Sequence, residues 1–254
     1  LNTAGSQLVC PGDNVPLGFS NLYVGQSPIA DLTKTYSWTG PNDFISNEEF
    51  ITVNNVSKAN AGAYNFTVTD NYGCSGNRSV TTNVSPIPNI SGNTTLCRGD
   101  DLNLSSSTLQ TYSWSGPNGF TSDLQNPQIL NVSSTKAGVY SVTGLNSDYC
   151  QVTNTILVIV NENPTVDFTN KPTCVGQTLT LTGTGDFENY SWVGPESYIG
   201  SGKTVSLNEV TSLQSGSYTL TILDINGCVT TANKTISLGE SIPPVVASSN
   251  NPVC

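Results

Sequence analysis

Three segments decide the fold: Tyr36-Ser37-Trp38-Thr39-Gly40-Pro41, Tyr112-Ser113-Trp114-Ser115-Gly116-Pro117 and Tyr190-Ser191-Trp192-Val193-Gly194-Pro195. Each is followed by a Gly-containing corner that ends in Tyr, namely Ala61-Gly62-Ala63-Tyr64, Ala137-Gly138-Val139-Tyr140 and Ser215-Gly216-Ser217-Tyr218, and then by Cys74, Cys150 or Cys228. The Trp-to-Tyr interval is 26 residues and the Tyr-to-Cys interval is 10 in all three. Two intervals held fixed three times mark internal repeats of one supersecondary unit.

Upstream of each Trp stands another cysteine, in Cys10-Pro11-Gly12-Asp13, Cys97-Arg98-Gly99-Asp100 and Cys174-Val175-Gly176-Gln177, and Cys254 opens a fourth unit. The first repeat is longer between its Cys and its Trp, which places an extended loop at about 21–33. Apolar residues alternate with polar ones in Leu102/Leu104, Leu179/Leu181, Tyr64/Phe66/Val68 and Tyr218/Leu220/Ile222, the period-two pattern of half-buried strands. No stretch keeps a helical period. Gly, Pro and Asn punctuate the runs at the spacing of short antiparallel strands, so each repeat is expected to be one small β-sandwich. Pro-rich connectors, Ser85-Pro86-Ile87-Pro88, Glu162-Asn163-Pro164 and Ser241-Ile242-Pro243-Pro244, set the boundaries: repeats at 1–86, 87–163 and 164–241, then a linker and the start of a fourth at 242–254. Stiff connectors of this kind suit an extended rod.

A core Trp on a central strand and a Tyr after a Gly corner resemble the immunoglobulin superfamily. The resemblance implies that Trp38, Trp114 and Trp192 fill the space between sheets and that the hydroxyls of Tyr64, Tyr140 and Tyr218 bond back to the corner backbone. The antibody-type cysteine two residues past the Tyr is missing; Phe66, Val142 and Leu220 stand there. The second cysteine instead follows a turn signal (Tyr72-Gly73-Cys74, Asn226-Gly227-Cys228). Six cysteines allow 15 pairings, and repeat logic favours one bridge per repeat: Cys10–Cys74, Cys97–Cys150 and Cys174–Cys228. Such staples would add up to about 4 kcal/mol each on the chain-entropy model, useful to domains whose cores are small. The expected fold class is therefore all-β, with tandem immunoglobulin-like sandwiches, each holding one intradomain disulfide.

Together, Cys-x-Gly, Tyr-Ser-Trp-x-Gly-Pro, the Gly-x-Tyr corner and Gly-Cys resemble the immunoglobulin-like repeats of large Bacteroidota cell-surface adhesins, including those of gliding motility, over essentially the whole chain. The resemblance implies type IX secretion, display at the outer membrane as a filament, and a role in attachment or gliding.

Composition bounds the function. The 254 residues carry 8 Lys and Arg against 18 Asp and Glu, a net charge of −10, and no His. Nucleic acid needs clustered basic residues that are absent here. The longest apolar run, Ile156 to Val160, is strand-sized and not the roughly 20 residues of a membrane helix, so no direct membrane insertion is expected. With no Met and no leader-like segment, the chain reads as an interior piece of a longer protein. Disulfides point to an oxidising, extracellular compartment.

Without His, neither Ser-His-Asp nor Cys-His catalysis is available. The carboxylate neighbours Glu48-Glu49, Asp100-Asp101 and Asp186/Glu188 recur at no equivalent positions, so no enzyme activity, cofactor or metal is expected. No calcium-loop motif is present either. Arg98-Gly99-Asp100 spells an integrin-binding tripeptide, but the equivalent positions read Pro-Gly-Asp and Val-Gly-Gln, which makes it a turn with a variable first residue. Gly200-Ser201-Gly202-Lys203-Thr204 lacks the earlier Gly and the following helix of a phosphate loop and reads as a hairpin. Phe44, Phe120 and Tyr198 share one repeat position and are expected to pack, whereas Tyr23, in the longer loop, is the better ligand-contact candidate. The leading expectation is an adhesive spacer segment, with neighbouring repeats and a surface polysaccharide or protein as partners. The alternatives are a carbohydrate- or protein-binding module, or accessory domains of a secreted enzyme.

Overall fold

The computed structural model describes residues 5–19, 23–24, 27–28 and 33–240. By their contacts these residues form two compact units. The first takes the described residues up to 94 together with 102–129 and 135–158; the second takes 95–101, 130–134 and the described residues from 159 onward.

In the first unit, one sheet runs in the order Ser6–Val9, Ser75–Val84, Gly62–Asp70, Lys34–Gly40, Phe44–Ser46. Its edge strand Ser6–Val9 lies parallel to Ser75–Val84, with Val9 opposite Val84, and the other pairs are antiparallel. A second, smaller sheet pairs Val15–Leu17 with Ile51–Val53. Their inner faces meet in one core, where Val15, Leu17, Ile51 and Val53 from the small sheet lie with Trp38, Tyr64, Phe66, Val68 and Val80 from the large one. That is an immunoglobulin-like sandwich, with Trp on its central strand and Tyr near the start of the penultimate strand. The first unit also holds a three-stranded sheet, Ile90–Gly92, Leu102–Ser106, Gln128–Ile129, and the antiparallel run Phe120–Ser122, Ser113–Gly116, Gly138–Leu145, which pairs with the strand that starts at Gln151.

In the second unit, Thr95–Cys97 runs parallel to Ile159–Asn161, the end of that same strand, again as a parallel edge. The rest is a complete sandwich. One sheet is Tyr198–Ser201, Asn189–Gly194, Gly216–Leu223, Val229–Ile236 and the other Phe168–Asn170, Leu179–Gly183, Thr204–Leu207. Phe168, Leu179, Leu181 and Val205 face Tyr190, Trp192, Tyr218, Leu220, Ile222 and Ile236 across its core. A single parallel bridge, Cys174 to Gly239, stands where the other repeats have their parallel edge strand.

Candidate functional site: the cysteine turns and hairpins

The residues that recur in sequence hold one another. Trp38 lies directly opposite Phe66 in the ladder, Trp114 opposite Val142 and Trp192 opposite Leu220, so an apolar side chain stands where an antibody domain has its cysteine. All three indoles are at most 1% exposed. Each indole N–H finds a partner ten residues downstream, the carbonyl of Glu48 (3.0 Å), Leu124 (2.8 Å) or Gly202 (2.9 Å), as a buried donor requires. The Tyr hydroxyls donate back four residues, to the carbonyls of Asn60 (3.1 Å), Lys136 (2.9 Å) and Gln214 (3.0 Å). Burial pushes the pKa of all three phenols up, so they remain donors at any physiological pH.

The Gly-Pro pair has a steric cause. A Cβ on Gly40, Gly116 or Gly194 would stand 2.5 Å from a ring carbon of Tyr64, Tyr140 or Tyr218, so only glycine lets the ring lie against the strand. The following Pro41, Pro117 or Pro195 packs over the corner glycine, whose φ of +138°, +136° or +150° is itself costly for other residues. Phe44, Phe120 and Tyr198 meet the corner tyrosines edge-on, at centroid distances of 5.6, 5.5 and 6.2 Å, which is packing rather than an open sugar-stacking face.

The six cysteines among the described residues occupy two local structures, each built three times. In the entry turn, the backbone N–H of Cys10, Cys97 or Cys174 donates to the side chain of Asp13, Asp100 or Gln177, whose own N–H returns to the cysteine carbonyl. Gly12, Gly99 and Gly176 take positive φ there (+89°, +97°, +85°) and donate to the carbonyls of Val56, Val132 and Val210. In the hairpin, Oδ1 of Asp70, Asn146 or Asp224 accepts from the N–H groups two and four residues on, the second being that of Cys74, Cys150 or Cys228.

One bridge per repeat is not what these structures form. The disulfides join Cys10 to Cys150 (Cα–Cα 5.3 Å) and Cys97 to Cys228 (Cα–Cα 5.5 Å), while Cys74 and Cys174 are free thiols. The expected Cys10–Cys74, Cys97–Cys150 and Cys174–Cys228 pairs, and with them the intradomain staple, are thereby overturned. The reason is the length of the last strand. Cys74 immediately precedes Ser75–Val84, whereas the parallel pairing of Val9 with Val84 sets Cys10 beside its far end. Ten extended residues at about 3.3 Å each separate the two by roughly 33 Å, and a disulfide tolerates Cα atoms no more than about 7 Å apart. Cys174, bridged to Gly239, and Cys228, just before Val229–Ile236, are kept apart along the third repeat's last strand in the same way.

The entry turns of the first two repeats therefore bond to the hairpin of the next repeat. At the first of these junctions the hairpin adds hydrogen bonds: Asn146 donates to the Ser85 hydroxyl (2.6 Å) and the Pro86 carbonyl (2.9 Å), and the Ser85 hydroxyl donates to Asp148 (2.5 Å). Bridged hairpin cysteines are buried, Cys150 at 2% and Cys228 at 0%; Cys74, on an equivalent hairpin, is exposed.

The remaining candidates resolve into structural roles. In Arg98-Gly99-Asp100 the carboxylate is engaged by Cys97 N–H, and Arg98 pairs with Glu162 at 3.2 Å. Lys203 of the Gly-Ser-Gly-Lys segment pairs with Asp186 (2.5 Å), which holds that carboxyl below its ordinary pKa, and Asp101 accepts from Asn131 N–H. Tyr23 lies in a two-residue strand, Tyr23–Val24, paired with Ser27–Pro28, while the rest of the 21–33 loop up to 32 and the Tyr23 side chain lie outside the described residues, as does Cys254. Among the described residues no three or more His, Cys, Asp or Glu side chains gather as a metal site would require.

No family model matches the chain, and no curated protein matches it by sequence. Solved structures resemble it as folds. They include the three N-terminal domains of the bacteriophage RB49 highly immunogenic outer capsid protein (18% identity, 91% of this chain, 95% of that one, TM-score 0.40) and immunoglobulin domains 1–5 of Sidekick-1 (14%, 95% and 58%, TM-score 0.30). Murine CEACAM1b is similar over 61% of this chain and all of its own, at 14% identity and a TM-score of 0.33. The fold assignment rests on the strand order and core described above.

Proposed function

We infer that this chain is a load-bearing spacer of an extracellular adhesive protein. The observation that carries this reading is the covalent linkage of successive repeats, Cys10 to Cys150 and Cys97 to Cys228, with overlapping spans. A bridge inside one domain protects that domain alone. Bridges between domains make each junction as strong as the chain and fix the spacing of whatever the repeats carry. Disulfides of this kind belong to an oxidising compartment, which supports an extracellular site, and among the described residues no helix is long and apolar enough to cross a membrane. The resemblance to Bacteroidota surface adhesins makes attachment to a surface polysaccharide or protein the activity to assay, with gliding as its specific form. The ionisable side chains engaged in turns and ion pairs favour a non-catalytic role.

The test separates spacing from binding. A surface-displayed adhesive module joined to its anchor through this chain should lose attachment when the chain is deleted. An unrelated immunoglobulin-like array of equal length should restore it. Failure of the substitute, together with saturable binding of the purified chain on a glycan or protein array that Tyr23→Ala abolishes, would move the function to the first-repeat loop.

A further inference from the structure

Cys74 and Cys174 are halves of a junction that this chain closes twice. Cys174 sits in the same entry turn as Cys10 and Cys97, with the same carbonyl and side-chain returns and the same positive-φ glycine. Cys74 ends the same hairpin as Cys150 and Cys228, its N–H held by Asp70 as theirs are by Asn146 and Asp224. The residue before the cysteine takes positive φ in all three hairpins, Gly73 at +84°, Tyr149 at +60° and Gly227 at +83°. The hairpins differ in what covers them. Cys150 and Cys228, each met by an entry turn, are 2% and 0% exposed, whereas Cys74 is exposed and Tyr72 beside it is 78% exposed.

Both closed bridges run one way, from the entry turn of a repeat to the hairpin of the repeat that follows, over 140 and 131 residues. In that direction the hairpin of the first repeat takes an entry turn from ahead of it, and the entry turn of the third takes a hairpin from beyond it. The sequence carries the beginning of that next repeat: Cys254 follows Cys174 by 80 residues, as Cys174 follows Cys97 by 77 and Cys97 follows Cys10 by 87.

We propose that in a longer chain Cys74 bonds to the entry-turn cysteine of a preceding repeat, and Cys174 to the hairpin cysteine of the repeat that Cys254 opens, so that each repeat carries one bridge backward and one forward. The partners stand about 131–140 residues ahead of Cys74 and as far beyond Cys174, the separations of the two closed bridges. The first lies in a Cys-x-Gly turn with Asp or Gln next, the second four residues after an Asp or Asn, as the three turns and three hairpins here do. Asp70 and Gly73 match Asp224 and Gly227, so the junction at Cys74 is built like that of Cys97 with Cys228. The oxidant is a small disulfide such as oxidised glutathione. One protein thiolate attacks it, releasing one glutathione thiol and leaving a mixed disulfide; the second protein thiolate displaces the other glutathione. Two protein thiols and one glutathione disulfide give one protein disulfide and two glutathione thiols.

The mechanical consequence rests on the spacer reading only for its purpose. The covalent route through a closed array enters each repeat at its hairpin cysteine and leaves by its entry turn, 53 residues from Cys150 to Cys97 and 54 from Cys228 to Cys174. At about 3.6 Å per extended residue, each bridged repeat adds about 19 nm of extension, against about 29 nm for a reduced repeat of roughly 80 residues.

The test uses the full-length native protein, collected in the presence of a thiol-alkylating reagent and mapped without reduction. Cys74 and Cys174 should both escape alkylation. The Cys74 peptide should be linked to a Cys-x-Gly peptide from ahead of Leu1, and the Cys174 peptide to a hairpin peptide from beyond Cys254, with Cys10–Cys150 and Cys97–Cys228 intact. The protein should run as a single chain on non-reducing electrophoresis, and pulling it by its ends should give about 10 nm more extension per repeat once reductant is added. Alkylation of Cys74 or Cys174, a Cys74–Cys174 link, or a multimer that reductant dissolves would each overturn the proposal. None of these results bears on whether the chain acts as a spacer, which the deletion and substitution assay decides.

Discussion

Pulling the chain by its ends reads the connectivity of its disulfides as a length. Cys10 and Cys228 are 218 residues apart along the backbone. With both bridges closed, the shortest covalent route crosses from Cys10 to Cys150, returns through 53 residues to Cys97, and crosses to Cys228. At about 3.6 Å per extended residue, that route limits extension of this part to about 19 nm, against about 78 nm for the reduced chain. Removing one bridge with Cys150→Ser leaves the route from Cys10 through 87 residues to Cys97, longer than the doubly bridged route by 34 residues or about 12 nm. Cys74→Ser should change nothing, because Cys74 carries no bridge. Single-molecule force spectroscopy on a tagged chain, with and without reductant, measures all four contour lengths. If Cys74→Ser lengthened the chain by about 23 nm, the 64 residues between Cys10 and Cys74 would be the stapled loop and the interlaced arrangement would be refuted.

Local substitutions test the repeat's internal logic. Tyr218→Phe removes the hydroxyl bond to the Gln214 carbonyl and should lower stability by about 1 kcal/mol in urea melts. Gly194→Ala drives a methyl into the Tyr218 ring and should cost about 1–3 kcal/mol, more than the loss of the hydroxyl, by the same assay. Trp192→Ala empties the centre of the third sandwich and should cost about 3–5 kcal/mol. Acid should destabilise the second unit. Glu162 is held below its ordinary pKa by Ser134 and Arg98, and Asp167 by Lys234 and the Phe168 N–H. A carboxyl with a depressed folded pKa contributes stability above its unfolded value and loses it as pH falls through the folded one. Lys234→Met should flatten the acid limb of a urea-midpoint-against-pH curve, and an unchanged limb would show that the Asp167 pair contributes nothing.

The core was legible because its residues constrain one another at short range. Trp, Gly-Pro and the Gly-x-Tyr corner keep fixed intervals since the Tyr ring needs the first glycine beneath it and the proline covers the second. The bond from each indole to a carbonyl ten residues on was not legible, because a backbone acceptor leaves no mark on residue identity. The disulfide partners are not legible in the sequence, for a topological reason. Proximity in sequence and equal copy number favour pairing within a repeat, and only the parallel edge strand reveals that the entry turn and the hairpin stand at opposite ends of the last strand. The signal was present in the ten residues between hairpin cysteine and strand end, but reading it requires knowing which way the first strand runs.

The central claim is that the bridges run between repeats, and peptide mapping of the non-reduced 254-residue chain tests it most directly. The account predicts linked peptides containing Cys10 with Cys150 and Cys97 with Cys228, with Cys74 and Cys174 open to alkylation without prior reduction. Recovery of Cys10 with Cys74, or of Cys97 with Cys150, would contradict it.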